Sequence, residues 1–266
     1  MDDPAQVEAF ARAGREDGVI GQIYLLHSVQ LCSLIRPGDR VIDLACGPAT
    51  QLAQVARLNP QARFLGIDLA PAMLADARRH IAAQGLANIE LAEGDMTDLR
   101  GVADASADVV MSTFSLHHLP DTDALARCFS EIRRVLKPGG RVYLADFGRL
   151  RREASMHFMS HRFAELQGPL FTTDFHNSLR AAFSLDDYRA ALSALQPDSG
   201  PRLRLIPSPL APFMVIIRSP SVVRLPTAAR SELRRLWQAL PRFQRMDFEE
   251  LRHAYKTKLH FIPGIR

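Results

Sequence analysis

Ten residues, Val41-Ile42-Asp43-Leu44-Ala45-Cys46-Gly47-Pro48-Ala49-Thr50, constrain the fold of this chain more than any other stretch. The first are β-branched and apolar, as a buried strand requires; small residues follow, and Gln51-Leu52-Ala53-Gln54-Val55-Ala56 then resumes with helical spacing. A strand, a tight turn and a helix are predicted in direct succession. Ala45, Gly47 and Ala49 carry almost no side chain, so a ligand can lie against the backbone there. The helix beyond aims free N–H groups at any anionic part of that ligand, and Asp43 puts an acid at the edge of the pocket. A three-glycine dinucleotide fingerprint is absent.

Further acids stand at the ends of the next strands. Ala62 to Leu69 reads as a short apolar strand carrying Asp68, twenty-five residues beyond Asp43. A carboxylate there can accept hydrogen bonds from two vicinal ribose hydroxyls, or simply cap the helix opening at Pro71-Ala72-Met73-Leu74. That helix stops at Gly85. The third strand, Ile89 to Glu93, runs into Gly94-Asp95-Met96, with Asp98 a second acid that turns the chain. Ala107 to Ser112 makes a fourth strand, left by Thr113-Phe114-Ser115-Leu116-His117-His118-Leu119-Pro120. Asp121-Thr122-Asp123 caps a helix over 124–136, and Lys137-Pro138-Gly139-Gly140 turns into the strand Arg141 to Asp146.

These motifs, in this order over about residues 38–148, resemble the class I S-adenosylmethionine-dependent methyltransferases. The His-His-Leu-Pro and Leu-Lys-Pro-Gly-Gly-Arg phrases narrow the resemblance to the small-molecule "type 11" and ubiquinone/menaquinone-biosynthesis kind. Alanine stands at positions 45 and 49 where that family's loop has glycine. The resemblance implies an α/β fold: a doubly wound, mostly parallel seven-stranded Rossmann-like sheet with an antiparallel edge hairpin. It also implies S-adenosylmethionine as cofactor, with S-adenosylhomocysteine as product. Asp43, Ala45 and Gly47 would then form the loop, Asp68 would hold the ribose, Asp95 the adenine amino group and Met96 the adenine face. Tyr24, Leu69, Met73, Ser112 and His117 complete the implied cofactor set. His117 and His118 leave the fourth strand where open parallel sheets collect ligands, and imidazole titrates near neutrality, so both are candidates for catalytic base or substrate positioning.

Around this core three additions are expected. Residues 1–37 form two helices, broken near Gly14 to Gly18, that cover the cofactor site through Tyr24 or simply pack on the domain. The methyltransferase domain spans 38–218, with a helical insert at about 150–200. In that insert Met156, Phe158, Met159, Phe163, Leu166, Phe171, Phe175, Phe183 and Tyr188 suit either a roof over an apolar substrate or an ordinary core. Leu203 to Ile206 and Phe213 to Ile217 read as the edge hairpin. Residues 219–266 form a helical extension, one helix opening at Ser231-Glu232 and a second near Asp247, whose apolar stripe must be covered by its own domain, the roof or a homodimer partner.

Thirteen Lys/Arg against four Asp/Glu in residues 201–266 give that segment +9, leaving −5 on the other 200 residues of a chain whose net charge is +4. The basicity belongs to the tail and not to the pocket. No Asn-Pro-Pro-Tyr, Asp-Pro-Pro-Tyr or Pro-Cys motif is present, which disfavours a nucleic-acid substrate. His157 and His161 share a helix face without a third ligand at a recognisable spacing, so no metal is expected. Cys32, Cys46 and Cys128 show neither disulfide nor zinc spacing, the first residues are acidic, and no apolar run reaches membrane-spanning length. A cytoplasmic location is expected.

Few catalytic side chains are needed to move a methyl group from a sulfonium by direct displacement. The expected activity is methylation of a small aromatic or hydrophobic acceptor, with the acceptor atom left open. The same features fit a protein of this fold that binds the cofactor without transfer, as a cyclase, sensor or scaffold. A nicotinamide-dependent oxidoreductase would share the sheet and the ribose acid but lacks the glycine loop.

Overall fold

The computed structural model describes residues 18–195, 203–208, 213–220, 223, 225–255 and 257. The first of the two expected N-terminal helices and the connection of the edge hairpin lie outside the described residues. The second helix is α1 (Gly21–Cys32). The core then alternates β1 (Arg40–Leu44), α2 (Thr50–Leu58), β2 (Arg63–Asp68), α3 (Pro71–Ala83), β3 (Ile89–Glu93), β4 (Ala107–Thr113), α4 (Thr122–Val135) and β5 (Leu136–Phe147). A single 3₁₀ turn, Leu116–His118, intervenes after β4. Four helices follow, α5 (Glu153–His161), α6 (Ala164–Gln167), α7 (Pro169–Ala181) and α8 (Leu185–Leu195). Strands β6 (Arg204–Pro207) and β7 (Met214–Arg218) and helices α9 (Thr227–Ala239) and α10 (Arg242–Ala254) complete the elements among the described residues.

One seven-stranded sheet results, in the order β3-β2-β1-β4-β5-β7-β6. All neighbours pair in parallel except β7, which is antiparallel to both β5 and β6. The expected antiparallel hairpin closes this side of the sheet, with β7 beside β5 and β6 at the edge. Because side chains alternate along a strand, Val41, Val109 and Tyr143 face one side while Ile42, Val110, Val142 and Leu144 face the other. Both faces are covered, as parallel sheets require. On the first lie α1, α2, α3, α9 and α10; on the second, α4 and α8.

Local chemistry sets the helix ends. Asp121 accepts from the Ala124 amide at 2.7 Å and caps α4, whose Leu125, Phe129 and Ile132 recur at helical spacing and are fully buried. Pro71 opens α3, and Gly85, with φ of +64°, ends it. Two boundaries differ from the sequence reading. Helix α9 starts at Thr227 and α10 at Arg242, each directly after a proline, which supplies the start in place of the acidic residues further on. The apolar stripe Leu233, Leu236 and Leu240 packs into the cluster that holds α1 and the sheet, so the extension is covered by its own domain.

Within the insert only part forms a roof. Helices α5 and α7 pack on each other, whereas α8 packs on α4 across the sheet. Phe183 and Tyr188 belong to that second core, and the Tyr188 hydroxyl donates to the Phe147 carbonyl at 3.1 Å. They are core residues and not roof.

Candidate active site

The strand order reverses between β1 and β4, and ligands of open α/β sheets bind outside the strand ends at such a point. Two cavities meet there. The smaller, of about 690 Å³, lies over the 45–49 loop and includes Asp43, Ala45, Gly47, Gln51, Asp68 and Asp95 in its wall. The larger, of about 1010 Å³, lies under α5, α7 and α10 and is walled by Phe147, Met159, Phe163, Phe171, Phe175 and Phe213 among others. Tyr24, Phe114 and His118 line both.

The loop departs from ordinary backbone. Ala45, Gly47 and Ala49 have φ of +52°, +55° and +60°, the left-handed region that a glycine adopts freely and an alanine only under strain. Asp68 fastens this loop to β2: its carboxylate accepts from the Gly47 amide at 2.7 Å and from the Ala70 amide at 2.9 Å. Asp68 thus caps the chain after β2 and ties down the loop while standing in the cavity wall. Phe114 is the third non-glycine residue with left-handed backbone here, with φ of +55° at the junction of the cavities.

Electrostatics favour a cation in the smaller cavity. Burial, and then the neighbouring Asp68, push the Asp43 carboxyl well above the usual carboxylate range. Burial and then Asp43 likewise raise the Tyr24 phenol, and burial with both acids raises the Cys46 thiol, which is therefore no nucleophile. A bound ammonium or sulfonium would relieve these acids, whereas a pyrophosphate would be repelled by them. Gln51 adds an acceptor. Its Nε2 donates to Ser28 Oγ at 2.7 Å, and its buried Oε1 has no partner among the described residues. These groups fit the donors of the amino-acid end of S-adenosylmethionine.

Leu69, Met73, Asp95 and Met96 also line this cavity. Leu69 is exposed, Met73 is buried, and Asp95 Oδ1 accepts from the Thr97 amide at 2.7 Å and its hydroxyl at 2.9 Å. Asp98 stays outside, held by the Arg100 guanidinium beside it. Two residues of the implied cofactor set lie elsewhere. Ser112 is buried behind the wall, its hydroxyl donating to the Leu44 carbonyl at 2.8 Å and meeting Ser115. His117 lines the larger cavity.

His117 makes a contact that spacing did not reveal. Its Nδ1 lies 2.7 Å from Asp146 Oδ1, and its backbone N–H donates to Oδ2 of the same carboxylate at 3.0 Å. Both side chains are buried, and His117 Nε2 has no partner among the described residues. His118, 4.1 Å away ring to ring, is held neutral: burial and then the adjacent His117 lower its pKa to about 4. His157 and His161 stack at 3.8 Å on α5, and among the described residues no group of three His, Cys, Asp or Glu side chains could hold a metal. Gln22, Phe114 and Asp146 were not singled out as site residues by the sequence. Only Phe114, in the segment leaving β4, carried a positional signal.

The sheet order, the switch-point loop and the two adjoining cavities define a doubly wound α/β domain of the nucleotide-binding type. Residues 41–140 match the family model of a methyltransferase domain. An arsenite methyltransferase of Halobacterium salinarum is 34% identical over 111 residues, which cover 41% of this chain and 27% of the relative. A ubiquinone/menaquinone biosynthesis C-methyltransferase of Teredinibacter turnerae is 30% identical over 162 residues, covering 59% and 63%. A trans-aconitate 2-methyltransferase of Deinococcus radiodurans is 40% identical over 105 residues, covering 40% and 36%. The chain thus spans only part of the length of the curated relatives it matches. Among solved structures, an S-adenosylmethionine-dependent methyltransferase from Aquifex aeolicus superposes with a TM-score of 0.58 at 17% identity, over 84% of this chain and all of that one. An O-methyltransferase family protein from Burkholderia thailandensis gives 0.52 at 23% identity, over 74% and 56%. Residues 41–140 thus carry a methyltransferase domain, and the fold is that of S-adenosylmethionine-dependent methyltransferases.

Proposed function

We propose that this protein transfers a methyl group from S-adenosylmethionine to a small hydrophobic, aromatic acceptor held in the larger cavity. The observation that carries this reading is the wall shared by the two cavities, Tyr24, Phe114 and His118, where a donor in one would meet an acceptor in the other. Bound, the cofactor supplies an electrophilic methyl group on a sulfonium. Asp68 would hold the ribose, Asp95 and Met96 the adenine, and Asp43 with Gln51 Oε1 the ammonium end.

The chain's own contribution is placement. Fixing two partners in line can remove about 7–11 kcal/mol of barrier at best, and the rigid loop and aromatic walls serve that end. Neutral His118 leaves a cationic sulfonium unrepelled at the junction. An acceptor that carries O–H or N–H must also lose a proton. His117 is the better base of the two, because Asp146 fixes its Nδ1 proton and leaves Nε2 as the acceptor. Gln22 Oε1, buried and unpartnered among the described residues in the wall of the same cavity, would accept from a second donor on the ligand.

Calorimetric titration with S-adenosylmethionine, followed by S-adenosylhomocysteine formation across an acceptor panel, tests the proposal. One-site binding abolished by Asp68→Ala, with turnover on apolar hydroxyaromatics and none on arsenite or tricarboxylates, is expected. Loss of the Gly47 and Ala70 hydrogen bonds also costs Asp68→Ala about 1.5–3 kcal/mol of stability, so its melting is followed in parallel. Binding without turnover on any apolar acceptor would instead favour the cofactor-binding scaffold reading.

A further inference from the structure

The wall shared by the two cavities is aromatic. Of the three side chains that line both, Tyr24 and Phe114 have ring centroids 6.3 Å apart with their planes at 50°, a corner and not a stack. Phe114 is held in turn by Phe147 at 4.9 Å and, edge to face, by His27 at 5.3 Å. Its amide donates to the Ala145 carbonyl at 2.8 Å, which fixes the backbone where φ is +55°. Left-handed backbone is an outlier for a residue with a bulky ring, and such outliers persist where the surrounding structure imposes them, most often at ligand sites. Thr113, Phe114 and Ser115 all stand in the wall of the smaller cavity, and of the three it is Phe114 that reaches the larger as well.

With a methyl donor in one cavity and an acceptor in the other, direct displacement requires the methyl-bearing sulfur to come to this shared wall. Transfer changes the cofactor's charge at that one atom, where a sulfonium becomes a neutral thioether; the ammonium and carboxylate stay as they were. The shared wall holds no full charge to register the change. Burial and then Asp43 raise the Tyr24 phenol, burial and then His117 lower the His118 imidazole to about 4, and both are neutral at physiological pH. An aromatic ring, however, attracts a cation within about 6 Å through its quadrupole and offers a thioether no such attraction. We infer that Tyr24 and Phe114 read the charge on that sulfur and set the preference of the site for S-adenosylmethionine over the product S-adenosylhomocysteine, a role that rests on the two-cavity reading above. Asp43 and Gln51, assigned to the ammonium end, meet a group that donor and product share.

Calorimetric titration of the full chain with S-adenosylmethionine and with S-adenosylhomocysteine gives two dissociation constants, whose ratio is the readout. Tyr24→Leu and Phe114→Leu keep apolar bulk but remove a ring, and each should weaken S-adenosylmethionine relative to S-adenosylhomocysteine by about threefold to thirtyfold. Tyr24→Phe keeps the ring and should hold the wild-type ratio. A substitution that only loosens the pocket weakens both ligands alike and leaves the ratio where it was. A measurement on the wild type needs no variant to fold: the methyl proton resonance of S-adenosylmethionine labelled with carbon-13 at that methyl should move upfield on binding, through the ring currents of the two aromatic faces. An unmoved ratio in either leucine variant that folds, or a bound methyl resonance without the upfield shift, overturns the inference and leaves the methyltransferase reading standing. Absence of S-adenosylmethionine binding by the wild type would overturn both.

Discussion

Replacing Ala45 by glycine should stabilise this protein, and the same change at Ala49 should not. Both alanines hold left-handed backbone, at φ of +52° and +60°, which costs an L-residue about 1–2 kcal/mol. Glycine removes that strain but gives the unfolded chain more freedom, a loss of about 0.4–1 kcal/mol. At Ala45, half-buried with its methyl in the cavity wall, nothing else of weight changes, so a net gain of about 0.5–1 kcal/mol is expected. Ala49 is fully buried in the main core, and deleting its methyl forfeits about a further 0.8 kcal/mol. The three contributions then nearly cancel. Urea denaturation of the two variants, read at a common m-value, measures the difference. If Ala45→Gly is destabilised, or if the two variants cannot be told apart, strain in this loop is not what its backbone angles imply.

Three further perturbations probe the groups around the site. His27 is fully buried, its Nδ1 2.6 Å from the Tyr143 hydroxyl, and burial lowers its pKa from 6.5 to about 3. The folded state therefore refuses a proton that the unfolded state accepts, so stability is unaffected above pH 6.5 and falls as pH drops from there toward 3, at up to about 1.4 kcal/mol per unit. In His27→Phe that part of the acid limb should flatten, although orphaning the Tyr143 hydroxyl lowers the plateau; an unchanged slope in pH-dependent denaturation would refute the assignment. A Cβ at Gly66 would stand 2.7 Å from Leu52 Cδ2, 2.8 Å from Leu91 Cδ2 and 2.9 Å from Cys46 Sγ, so Gly66→Ala should cost about 1–3 kcal/mol in a thermal melt. Arg141 pairs with Asp39 at 3.0 Å with both side chains nearly buried, so Arg141→Met should destabilise by about 3–5 kcal/mol, with part recovered in the double variant with Asp39→Asn.

The smaller cavity was largely legible because its geometry is imposed by local chemistry. Asp43, Asp68 and Asp95 sit at or just beyond the ends of successive parallel strands, and a doubly wound sheet brings such ends to one side. Ser112, at the end of the same kind of strand, shows the limit of that logic. Its neighbour in sequence faces outward and it faces in, and a one-residue step along a strand separates a cavity wall from the core. The tail's cover was equally beyond reach, since a stripe such as Leu233, Leu236 and Leu240 states that it must be buried but not against what.

The larger cavity is assembled by a different rule, which explains why its residues were hard to assign. Phe147, Phe163, Phe171, Phe175 and Phe213 reach the larger cavity from a strand, two loops or turns and a helix, and each has a spacing that would serve an ordinary core equally well. Phe183 and Tyr188, of the same composition and from the same stretch, are in fact core. Only the path of the backbone separates the two groups. The polar members are harder still: Asp146 reads as the last residue of a buried strand, yet it meets His117, 29 residues earlier, because β4 and β5 are neighbours in register. What could have drawn attention to it is its chemistry. A carboxylate next to Val142, Tyr143, Leu144 and Ala145 in a central strand must be buried, a buried carboxylate must be hydrogen-bonded, and the nearest donors on the adjoining strand's exit are the two histidines.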